Sequence, residues 1–166
     1  MMRHLTPYPL ERRFEGEAPL KIGARISTPT GWLDLNDRKT YQLEGSSFAD
    51  RSVGWRKREV NSDYVEGSFV VNAVRENVIE KLAVWVRGET YHDLAMARQR
   101  LEDALCQLTY RISLRTSDVT RYWEATVADY QVNTQREYLH SRLALVSASI
   151  PRHPVEEIVS TSVDEL

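Results

Sequence analysis

Between Asn77 and Leu108 the hydrophobic period of the chain changes from two to about 3.6 across a single glycine. In "NVIEKLAVWVRG", Leu82, Val84 and Val86 fall on one face of a strand, and Ala83 and Trp85 fall on the other. A strand apolar on both faces needs cover on both, as from a sheet and a helix. Gly88 breaks this strand. Thr90 then stands as an N-cap with Asp93 at N3, a variant of the capping box in which Glu or Gln is usual. Leu94, Ala97, Leu101, Ala104, Leu105 and Leu108 follow at helical spacing. They predict one amphipathic helix over about 90–108, docked by its apolar stripe.

The remaining segments read as strands. "WLDLNDRKTYQL" is a strand, an Asn-Asp turn and a second strand. "RSVGWRKREV" and "SFVVNAV" form a long hairpin around the loop "NSDYVEG". Tyr64 and Val65 are apolar residues in that loop, which suggests a covered tip. After the helix, "TYRISLR" alternates cleanly, and "SDVT" is a turn. "RYWEATVADYQV" is the next strand, "NTQRE" the next turn, and "YLHSRLALVSASIP" the last strand, ended by Pro151 and Pro154. The expected fold is α+β: a mainly antiparallel β-sandwich or half-barrel with one packed helix. Residues 1–30 read as an extended, proline-bearing arm, 31–154 as the domain, and 155–166 as an acidic tail. The tail is either disordered or an exchanged arm.

Totals narrow the function classes. The 166 residues are 42% hydrophobic, which suits one domain with its own core. A net charge of −2 gives no global pull toward nucleic acid. One cysteine excludes an internal disulfide. No run of about 18 apolar residues exists to span a membrane as a helix, and "MMRHLTPYPLERRFEGEAP" lacks the apolar core of a signal peptide. Eight tyrosines and four tryptophans suit sheets and interfaces.

Catalytic candidates are poor. His92 and Asp93 are adjacent on a helix, so their side chains diverge by about 100°. Cys106 lies fourteen residues after His92, about 21 Å along a continuous helix, beyond the reach of a Cys–His pair. His4, His140 and His153 lack zinc-pair spacing, and the seven glycines show no phosphate-loop pattern. Glu102 with Asp103, and Glu156 with Glu157, are adjacent acids that do not converge. No cofactor, metal or catalytic residue is expected.

Contact candidates are better. Arg56 and Arg58 share one face of their strand and Lys57 takes the other. Such charges suit an edge or subunit contact more than nucleic-acid reading. Met96 and Cys106 lie away from the helix's apolar stripe, with His92, Gln99 and Asp103. That face is either plain surface or a subunit contact. The candidate interface set is therefore Arg56, Lys57, Arg58, Tyr64, Val65, Met96 and Cys106.

From about Leu33 to Pro154 this organisation resembles the tail-tube-like structural proteins of long-tailed bacteriophages: tube proteins, tail terminators and the N-terminal domain of distal tail proteins. The hairpin "SVGWRKREVNSDYVEGSFVVNAV", the strand "NVIEKLAVWVRG", the helix "TYHDLAMARQRLEDALCQL" and the strands from Tyr110 to Pro151 carry the resemblance. "GWLDLNDRKTY" and "YVEGSFVV" are similar in texture to minor tail proteins of actinobacterial phages. The resemblance implies a homohexameric ring around a DNA channel, stacked on tube and tail-tip or baseplate hub proteins. It also implies assembly in the host bacterial cytoplasm into the virion, with loops and arms clasping neighbours. A distal tail adaptor is the expected position, and a tube or terminator protein the alternative. A monomeric ligand-binding β-barrel and a small enzyme with a scattered site are the competitors.

Overall fold

A computed structural model describes residues 22–49, 51–62, 65–135 and 140–160, with the side chains of 60–69 and 71 outside that description. Ten strands and one helix follow in chain order among the described residues. They are β1 (Gly23–Thr28), β2 (Gly31–Asp34), β3 (Tyr41–Leu43), β4 (Arg51–Ser62) and β5 (Val65–Arg87), then α1 (Tyr91–Leu105). After the helix come β6 (Thr109–Arg115), β7 (Val119–Thr126), β8 (Asp129–Asn133), β9 (Leu143–Arg152) and β10 (Glu157–Ser160).

All pairings are antiparallel, in the order β2-β1-β6-β7-β9-β5-β3, with β10 on β7, β8 on β9 and β4 on β5. The β6–β7 and β5–β9 halves join through one pair, Ala125↔Arg152. That seam folds the sheet over on itself, and α1 packs against β5, β1 and β9. Leu82, Val84 and Val86 meet Ala144, Val146, Ala148 and Ile150 in the core. Ala24, Ile26, Ile112 and Trp123 close it from the other half. Leu94, Ala97, Leu101, Ala104 and Leu105 are the helix's buried stripe. Each large apolar side chain buried this way stabilises the fold by about 1.5–3 kcal/mol.

The helix begins as its residues require. Thr90 Oγ1 accepts from the Asp93 N–H at 3.1 Å, and Asp93 Oδ2 accepts from the Thr90 N–H at 3.1 Å. Both arms of the capping box are thus made. The other end departs from expectation. The helix stops at Leu105, and Leu108 is 82% exposed instead of completing the stripe. Ala128 donates its N–H to the Leu105 carbonyl, which fixes the helix end against the β7–β8 link.

Three other expectations are corrected. Gly23–Thr28, read as part of the arm, is strand β1, with Ala24 and Ile26 fully buried; residues 1–21 lie outside the described residues. "WLDLNDRKTYQL" does hold two strands and a turn, and Asp37 Oδ1 accepts the N–H groups of Lys39, Thr40 and Tyr41. The first of those strands pairs with β1 and the second with β5. "RYWEATVADYQV" breaks into β7 and β8 because Ala128 turns inward and is buried. In the tail, Glu157–Ser160 is a strand on this chain's own β7, and 161–166 lie outside the described residues.

Candidate interaction site: a projecting hairpin and its ionic root

Strand β5 has 23 residues, because "SFVVNAV" and "NVIEKLAVWVRG" form one continuous strand. Its second part, Val78–Arg87, is registered with β9 inside the body. Its first part, Val65–Arg75, is registered with β4 alone. The β4–β5 hairpin therefore stands clear of the core. A two-stranded ribbon is marginal in water and gains stability when another surface covers it.

The ribbon's faces follow from its register. Trp55 pairs with Arg75 and Lys57 with Ala73 on one face; Arg56 pairs with Val74 and Arg58 with Asn72 on the other. Trp55 is 54% exposed, and Val53, Val70 and Val74 are also exposed. Arg56 lies 3.6 Å from Glu76, a solvent-exposed contact of little energetic weight. Large apolar side chains interleaved with cations, on a ribbon without a core, have the composition of a protein-contact surface.

The hairpin leaves the body at Arg51↔Glu80, where a buried ionic cluster lies. Arg152 Nε donates to Glu80 Oε1 at 2.9 Å, and Nη2 donates to Glu156 Oε1 at 2.8 Å. Nη1 donates to the His153 carbonyl at 3.1 Å. The guanidinium lies 4.7 Å from the Trp123 ring centroid, a cation–π contact. Phe48 meets the same indole edge-on at 6.3 Å. Its backbone is left-handed, at φ 59°, a strained position for a non-glycine residue. Arg51 lies 3.6 Å from Glu156. Arg152 and Glu80 are almost wholly buried. A buried charge persists only when paired and hydrogen-bonded, and removing one partner costs about 3–5 kcal/mol. Arg51, Arg121, Glu80, Glu156 and Trp123 line a cavity of about 240 Å³ at this root.

The described residues among the seven singled out in the sequence lie in three separate places. Arg56, Lys57 and Arg58 lie on β4, with the alternation expected of a strand. Val65 opens β5, with its side chain outside the described set, and Tyr64 lies outside the described residues. Met96 lines a groove of about 610 Å³ with Arg38, Lys39, Arg87 and Arg100. Cys106 sits at the far end of the helix, its Sγ 3.9 Å from the Tyr130 hydroxyl. That hydrogen bond pushes the Tyr130 pKa upward. His92 is exposed on the continuous helix and does not approach Cys106. A further groove, of about 620 Å³, is lined by Lys81, Asp129, Gln131, Ser147 and Ser149, with Lys81 Nζ donating to Ser149 at 2.8 Å. None of these three cavities has a histidine in its lining. Among the described residues, no group of three or more His, Cys, Asp or Glu could hold a metal.

The geometry defines an antiparallel α+β half-barrel carrying an exposed hairpin. No family model and no curated protein matches the sequence. The fold is shared with solved structures. A chain in the phage p2 baseplate in its activated conformation with Sr matches at TM-score 0.54 and 9% identity, over 78% of this chain and 43% of that one. A chain of the same baseplate with Ca matches with the same values. This chain thus spans less than half the length of the chains it matches.

Proposed function

We propose that this protein is a structural component of a bacteriophage tail. In this reading it forms a ring of identical subunits, hexameric by the family resemblance, at the distal end of the tail tube. The ring surrounds the DNA channel without reading sequence and joins the tube to tip or baseplate proteins. The observation that carries the reading is the β4–β5 hairpin, with Trp55, Val70 and Val74 exposed, on a fold shared with a phage p2 baseplate chain. A ribbon that cannot cover itself is suited to a neighbouring subunit, and a closed ring supplies such a neighbour at every position. The test is mass measurement in solution followed by negative-stain imaging of the full chain. Rings, alone or with partner tail proteins, are expected. A strictly monomeric particle at high concentration, binding a small ligand in a closed cavity, would overturn the reading. Rings that stack on themselves into tubes would move the assignment from distal adaptor to tube protein.

A further inference from the structure

We propose that Arg152 is a positioning residue that sets the hairpin and the C-terminal strand β10 together, so that loosening one loosens the other. The coupling is a property of the single subunit; its value for assembly rests on the tail reading above. Three ion contacts string four side chains of alternating charge together, and backbone register brings the two ends of the string opposite each other. Arg51, at the hairpin root, stands opposite Glu80 across the β4–β5 ladder. Glu80 is held by Arg152, Arg152 holds Glu156, and Glu156 reaches back to Arg51. Each member belongs to a different segment: β4, β5, β9 and the turn into β10. Arg152 is also the β9 residue paired with Ala125 at the seam of the sheet.

The energetics favour concerted behaviour. The Arg152 guanidinium is shut away from water and stacked on Trp123. Water therefore cannot replace a lost carboxylate at low cost, and if either acid leaves, buried guanidinium N–H groups lose their acceptor. Strand β10 has no buried side chain of its own. Its attachment rests on the β7 ladder, the Arg111–Glu157 contact at 2.7 Å and the neighbouring Glu156. The described hairpin side chains from Trp55 to Glu59 are exposed as well. Two weakly anchored elements thus share one strongly anchored arginine.

Amide hydrogen exchange on the full chain, at a concentration where it is monomeric, tests this. Glu156→Gln keeps the shape and removes the charge. Exchange should rise about threefold or more in both Ile158–Ser160 and the β4 segment Ser52–Arg58, with the Val84 and Leu101 amides unchanged. Arg51→Gln, at the exposed end of the string, should raise exchange in β10 by a smaller factor, about twofold. Arg152→Lys should restore part of the protection lost in Arg152→Met. If Glu156→Gln affects β10 alone, or Arg51→Gln leaves β10 unmoved, the coupling is wrong. Coupled exchange in a protein that never forms rings would sink the tail reading and leave this one standing. Rings without coupled exchange would do the reverse.

Discussion

The hydroxyl of Tyr41 donates to the carbonyl oxygen of Ala97 at 2.7 Å, tying strand β3 to the middle of the helix. Burial raises the Tyr41 pKa to about 12, with Asp37 adding to the rise and Arg100 opposing it. Below pH 10 the hydroxyl is neutral in both states, and its contribution is complete. Above pH 10 the unfolded chain ionises first, so stability falls as pH rises toward about 12. Tyr41→Phe should lose about 1 kcal/mol at pH 7 and show a shallower alkaline decline. Urea melts at pH 7 and between pH 10 and 11 measure both effects.

Gly88 is fixed by a close approach. A Cβ there would stand 2.2 Å from the Leu94 backbone nitrogen and 2.6 Å from the Thr90 carbonyl oxygen. Backbone atoms cannot swing aside as a flexible side chain does. Gly88→Ala should therefore cost about 3 kcal/mol, far more than a neutral surface change. Thermal unfolding followed by circular dichroism would show it.

Thr90 and His92 are two residues apart but should differ sharply. Thr90→Ala removes both hydrogen bonds of the Thr90 hydroxyl, the one accepted from the Asp93 N–H and the one donated to its carboxylate, and should cost about 1 kcal/mol. His92→Ala removes an exposed side chain and should be neutral within about 0.5 kcal/mol. Leu101→Asp, which places a charge at the fully buried centre of the stripe, should prevent folding. Chemical denaturation compares all three; a large loss from His92→Ala would show that the histidine has a structural partner.

The hairpin predicts a separation of folding from assembly. Trp55→Ser with Val74→Ser changes one exposed side chain on each face. The melting temperature should shift by less than about 2 °C, while self-association or partner binding is lost. Light scattering and calorimetry on the same samples read the two outcomes. Unchanged association would move the contact surface elsewhere, with the Met96 groove next in line.

Much of this was legible in the sequence, for identifiable reasons. Gly88, Thr90 and Asp93 act locally, so the strand-to-helix switch could be read from its own residues. The root cluster was missed, although parity carried a signal for it. Glu80 is in step with Val78, Leu82, Val84 and Val86, and Arg152 is in step with Ala144, Val146, Ala148 and Ile150. Two opposite charges at corresponding ends of two core-facing runs invite pairing. Only the register, Val78↔Arg152 onward, brings them side by side, and no local pattern specifies register. Strand β1 escaped because Ala24 and Ile26 offer only two core-facing positions beside a proline-bearing arm. The helix end escaped because Ala128, far along the chain, binds Leu105.

The uninterrupted run of β5 bears on how the molecule would respond to force. A pull on the hairpin tip along β5 passes into the Val78–Arg87 ladder parallel to the strands. In that shear geometry the hydrogen bonds share the load and yield together, whereas peeling would open them one at a time. The strand that carries Arg75, the register partner of Trp55, is thus built as a tension member, and a single-molecule stretch from the tip should meet high resistance before the body gives way.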